Sequence, residues 1–102
     1  MCGIAGFLDL KRQTDAQSLA SQAEAMGGAQ IHRGPDSGGV WTDEAAGIAL
    51  SFRRLAIIDL SPAGDQPMVS ASGRYVLIFN GEIYNFKELR ADLEAAGHRF
   101  RG

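Results

Sequence analysis

Tyr75-Val76-Leu77-Ile78-Phe79 is the stretch that most restricts what this chain can fold into. It is apolar on both alternating faces, a pattern that predicts a central strand with layers on either side. It runs directly into Asn80-Gly81-Glu82. An Asn-Gly step favours a turn with positive φ. A tight hairpin turn would need a return strand, but the following sequence reads as a helix. Asn85 caps it, Phe86, Leu89, Leu93 and Ala96 share one face, and Gly97 ends it. Strand, turn and helix together place an amide side chain and a backbone N–H at the end of a rigid element. Two neutral donors so placed can hold negative charge as it develops on an oxygen.

The second constraint lies at the other end. Cys2 is the single cysteine of the chain, so no intramolecular disulfide can form. It follows Met1, and its side chain is small enough for that methionine to be removed. Removal leaves one residue with both a thiol and a free α-amino group, a nucleophile with its own general base. The alternative is a small hydrophobe at a strand start. Ile4-Ala5-Gly6-Phe7-Leu8 then reads as a buried strand, with Cys2, Ile4 and Leu8 on one face. Gly3 and Gly6 leave room for a close approach by another backbone or a ligand.

Between these ends, Thr14 with Gln17 forms a capping-box pattern, and Leu19, Ala23 and Met26 follow at helical spacing. A helix over 14–26, stopped by Gly27-Gly28, is expected. His32-Arg33-Gly34-Pro35-Asp36-Ser37-Gly38-Gly39 cannot be regular structure. As a phosphate loop it lacks the G-K-[ST] ending. No second ligand stands at metal-binding spacing from His32, so no metal is expected. The reading that remains is an ordered loop bracing a neighbouring site. Residues 40–42 and 48–52 read as a hairpin, with Ile48, Leu50 and Phe52 on the buried face and Ala49 and Ser51 on a lean one. Arg53-Arg54 then interrupts, either as a solvated strand end or as a guanidinium fork for an anion. A long loop over 59–74 follows.

At 102 residues the chain is one domain at most. A net charge of −2 gives no electrostatic reason to expect nucleic acid or an anionic membrane as partner. No run approaches the ~18 apolar residues of a membrane span, and no signal peptide is evident. With a lone thiol, a cytoplasmic setting is the expectation.

Four blocks, MCGIAGF, HRGPDSGG, RRLAIIDLSPAGDQPM and FNGEIYN, resemble the glutaminase domain of glutamine-hydrolysing asparagine synthetases. These are class II, N-terminal-nucleophile glutamine amidotransferases. The resemblance implies an α+β fold, the four-layer α/β/β/α sandwich, here incomplete at the C-terminus. Residues 2–102 would be the N-terminal part of the glutaminase domain, with the synthetase domain absent. It implies Cys2 as nucleophile after loss of Met1, and Asn80 and Gly81 as oxyanion donors. Arg54 would clamp the glutamine α-carboxylate, Leu55, Ile57 and Ile58 would wall the pocket, and Glu82 would receive the α-ammonium. Arg53 would be structural. Glutamine is the implied substrate and the synthetase domain the implied partner, with a homodimer left open. ATP and Mg would belong to that missing domain, with no cofactor in this chain. Phe52-Arg53 stands where many relatives have histidine or another polar residue before the Arg-Leu pair. That variant suggests relatives in surface-polysaccharide pathways, where the ammonia acceptor need not be aspartate. An inert remnant serving as a binding module is the competing expectation.

Overall fold

The structure is a computed structural model that describes residues 2–57 and 60–100. Its core is a three-stranded antiparallel sheet of β1 (Gly3–Leu8), β2 (Ser37–Asp43) and β3 (Ile48–Arg54), in the order β1-β3-β2. Opposite one another stand Gly3 and Arg53, Ala5 and Ser51, and Phe7 and Ala49, while Val40 of β2 faces Ser51 from the other side. These residues form one face of the sheet. Helix α1 (Ala16–Gly28) lies on it, with Leu19 and Ala23 packed against Ala49 and flanked by Phe7 and Val40.

The helix therefore covers the lean face, not the face of Ile48, Leu50 and Phe52 that alternation pointed to. Small side chains let the two backbones approach. At Gly27 an added Cβ would run into Ser51 Oγ, so glycine is needed there for contact and the helix continues through it. The opposite face carries Cys2, Ile4 and Leu8, and of the alternating β3 residues only Phe52 is buried, at 2 % exposure. Strand β1, expected to be buried, is an edge strand whose Ile4 and Leu8 are exposed.

The link into α1 is organised by Asp9. Its carboxylate accepts from the N–H groups of Lys11, Gln13 and Thr14 and from the Thr14 hydroxyl at 2.8 Å. The Thr14 hydroxyl, followed by the Gln13 amide, holds this carboxyl below its ordinary range. Thr14 is thus occupied and does not cap the helix as expected. Asp15 does, accepting from Ser18 N–H at 2.7 Å, and that bond lowers its own carboxyl likewise.

The chain then makes a two-stranded ribbon of β4 (Met68–Val69) and β5 (Val76–Leu77). This corrects the expectation of a long central strand over Tyr75–Phe79. Backbone pairing ends at Met68 and Leu77 on one side, beyond which Phe79 bonds the Gln66 side chain, and at the turn of Ser70–Gly73 on the other. Tyr75, Leu77 and Phe79 are exposed. Helix α2 (Phe86–Ala95) follows, with Asn85 at the cap position but making no side-chain capping bond. Its end is a Schellman turn: Gly97 has φ +96°, His98 N–H reaches Leu93 O and Gly97 N–H reaches Glu94 O. The apolar face of α2 is open, with Leu89 42 % and Leu93 43 % exposed. The architecture is mixed α/β with antiparallel sheets; the described residues cover one face of the main sheet with a helix.

Candidate active site

Cys2 sits half-buried just before β1, on the sheet face away from α1. The N–H of Leu55 donates to its sulfur at 3.3 Å, and the thiol faces the Leu55 carbonyl at 3.7 Å. Leu55 directly follows β3, so the register of β1 on β3 brings it there. The segment 32–39 is not the irregular loop expected, since Ile31–Arg33 form a short 3-10 helix and Ser37–Gly39 belong to β2, but the link between them braces this stretch. Asp36 N–H donates to Arg54 O at 3.0 Å, and the Asp36 carboxylate accepts Ala56 N–H at 2.7 Å. The Leu55 peptide is held between these two bonds and turned toward the sulfur.

Strand β3 does not end at the two arginines but runs through both. Arg54 is only 7 % exposed, which corrects the reading of a solvated strand end. Its Nη1 donates to Asp65 at 2.9 Å and to the Ser61 carbonyl at 2.6 Å. Ser37 Oγ donates to the same Asp65 oxygen at 2.9 Å. A partnered guanidinium can be buried where a bare one cannot. Arg53, on the α1 side, donates from Nε to Gly34 O at 2.9 Å. Gly34 lies so close to the Arg53–Arg54 backbone that a Cβ would collide with it.

A cavity of about 570 Å³ opens on this face. Cys2, Arg54, Leu55 and Ile57 line it from the β1–β3 side, and Asn80, Gly81 and Glu82 line it from beyond β5. Ile58 lies outside the described residues. Neither Asn80 nor Gly81 has the positive φ expected of an Asn-Gly turn. Gly81 lies at a bend and packs under the Phe79 ring, where a Cβ would meet ring carbons. Among the described residues, no group of three or more His, Cys, Asp or Glu side chains is placed to hold a metal ion, and no helix is long and apolar enough to cross a membrane.

Two residues of the cavity region had no role in the sequence reading. Asp65 holds Arg54, and Gln66 reaches across to Phe79. Both stand in the block GDQPM, where two polar residues precede a proline inside a loop bounded by Gly and Pro. That arrangement was the available signal.

The sequence matches the glutamine amidotransferase domain family over residues 1–102. It is 45% identical to asparagine synthetase [glutamine-hydrolyzing] 1 of Bacillus subtilis over 98% of this chain and 15% of that protein. It is 41% identical to asparagine synthetase B [glutamine-hydrolyzing] of Escherichia coli over 90% of this chain and 16% of the relative. It is also 34% identical to amidase chry2 of Gibberella zeae, over 91% of this chain and 15% of that protein. The chain thus spans about 15% of the length of these curated relatives. No solved structure matches it.

Proposed function

Because the chain belongs to the glutamine amidotransferase domain family, we propose that it is the glutaminase part of an asparagine-synthetase-type enzyme and that Cys2 is its nucleophile. The observation that carries this reading is the cavity shared by Cys2, Arg54 and Asn80-Gly81-Glu82. On this reading Met1 is removed, and the freed α-amino group takes the thiol proton as the sulfur attacks the side-chain carbonyl of glutamine. The Leu55 N–H at the sulfur supports the developing thiolate. Asn80 and Gly81 supply donors to the tetrahedral oxyanion. The amide nitrogen is protonated and leaves as ammonia, and water hydrolyses the thioester to glutamate.

Arg54 is the group for the glutamine carboxylate, which would share the guanidinium with Asp65. Glu82, exposed at the cavity rim, is the group for the α-ammonium. The open face of Ile4 and Leu8 and that of α2 fit a sandwich in which a further layer covers them. That is the four-layer N-terminal-nucleophile fold, with residues 2–102 as part of it. The uncovered faces also favour the second reading, in which these residues alone are inert. ATP, Mg and the acceptor, aspartate or another carboxylate, belong to the synthetase portion of such an enzyme, and no step above uses them.

The test is to quench the protein with acid during glutamine turnover and map the adduct by mass spectrometry. A glutamyl group on an N-terminal Cys2 is expected. Glutamate formation with the adduct on another residue, or with Met1 retained, would contradict the reading.

A further inference from the structure

Gln66 joins the two halves of this cavity. Its side-chain Oε1 accepts Phe79 N–H at 2.6 Å, and its Nε2 donates to Phe79 O at 3.3 Å. One amide thus makes the pair of bonds that a neighbouring strand would make. The ribbon register explains why. Met68 faces Leu77, so two residues further out Gln66 faces Phe79. Past Met68 the two backbones no longer pair, and the bonds that a backbone at that position would make to Phe79 come from the Gln66 side chain instead. The side chain continues the ladder where the main chain does not.

The other end of Gln66 is anchored in the main sheet. Its carbonyl oxygen lies against Gly39 of β2, so close that a Cβ at Gly39 would collide with it. Gly39 faces Phe52 of β3, and Phe52 lines the same cavity as Cys2. The residue after Phe79 is Asn80. A path of fixed contacts therefore runs from the sheet that carries Cys2, through Gln66, to the start of the Asn80-Gly81 segment.

We propose that Gln66 is a positioning residue: it sets the place of the Asn80 and Gly81 donors relative to the Cys2 sulfur without touching substrate itself. This rests on the glutaminase reading above. Donor geometry matters most when charge appears in the transition state, and a displacement of about 1 Å can cost ~10²-fold. Loss of Gln66 should thus act on the chemical step and spare ground-state binding.

The experiment is glutamine hydrolysis by the full-length protein with Gln66→Met, which keeps side-chain volume and removes both bonds. A fall in kcat of roughly 10- to 100-fold, with KM changed by less than about threefold, is expected. Gln66→Glu keeps an acceptor for Phe79 N–H and loses the donor, so its kcat should fall less than that of the Met variant. It also serves if the Met variant does not fold. An unchanged kcat in the Met variant overturns the proposal. So does a Glu variant at wild-type kcat, or a loss confined to KM. Cys2→Ala is measured alongside. If it still hydrolyses glutamine, the glutaminase reading itself fails. If it is inactive while Gln66→Met is normal, only the role of Gln66 fails.

Discussion

The backbone N–H of Leu55 points at the sulfur of Cys2 from 3.3 Å, across 53 residues of sequence. The relationship depends on nothing at the thiol itself. It follows from the β1–β3 register and from Asp36 bonding on either side of Leu55.

That geometry leaves Cys2 half-buried at a cavity wall, reachable by a small reagent. Iodoacetamide should alkylate this single thiol, and glutamine should slow the reaction by occupying the cavity. Time-resolved mass spectrometry with and without glutamine measures this. Identical rates would separate the cavity from the substrate.

Arg54 and Asn80 should fail differently. Arg54→Ala removes a ground-state contact and should mainly raise KM. It also leaves Asp65 with only the Ser37 hydroxyl as a side-chain partner among the described residues, costing roughly 1–3 kcal/mol of stability, so the melting temperature should fall with it. Asp65 is half exposed and can rehydrate, which favours the lower end. Asn80→Ala should leave stability near wild type and lower kcat by ~10²–10³-fold. Steady-state kinetics and thermal melts on both variants check the split.

The grouping of the motif residues was legible in the sequence, while their roles belong to the proposal. Cys2, Arg54, Leu55, Ile57, Asn80, Gly81 and Glu82 all line one cavity. The layering was harder to read. Alternation of Ile48, Leu50 and Phe52 reports that one face wants cover, not which face the nearest helix takes. The helix took the face of Ala49 and Ser51 because close approach needs small residues. The apolar run at Tyr75–Phe79 signals burial by layers, whereas its backbone pairing stops at Leu77, where the Gln66 side chain takes over, and at the turn after Val69. Thr14 looked like a cap because pattern cannot reveal that Asp9 engages it first.

Two glycines should respond oppositely to alanine. Gly47 has φ +74°, and a Cβ there would meet the Asp9 carbonyl oxygen. Gly47→Ala should therefore destabilise the protein by more than about 1 kcal/mol. Gly28 has nothing within 4 Å of an added Cβ and ends a helix. Gly28→Ala should stabilise by ~0.4–1 kcal/mol. Urea unfolding of the two variants gives both signs.

Acid should weaken the segment before and at the start of α1. The Asp9 carboxyl is lowered chiefly by the Thr14 hydroxyl, and the Asp15 carboxyl chiefly by the Ser18 amide, each from 3.8. A carboxyl lower in the folded state contributes stability that is present above the unfolded value. That contribution is lost as pH falls below 3.8 through the folded value. Asp9→Asn keeps an acceptor but no charge, so its deficit against wild type should shrink on going from neutral pH to pH ~3. Denaturant midpoints at the two pH values test the sign; a deficit that grows on acidification would contradict it.

The role of Cys2 is decided by glutamine hydrolysis by the full-length protein, measured with Cys2 intact and with Cys2→Ala. Glutamate and ammonia should be released in equal amounts by the intact protein, and none above the uncatalysed background by the variant, whose fold is checked by its melting curve. Glutamine hydrolysis that survives Cys2→Ala in a folded protein would mean that another residue is the nucleophile.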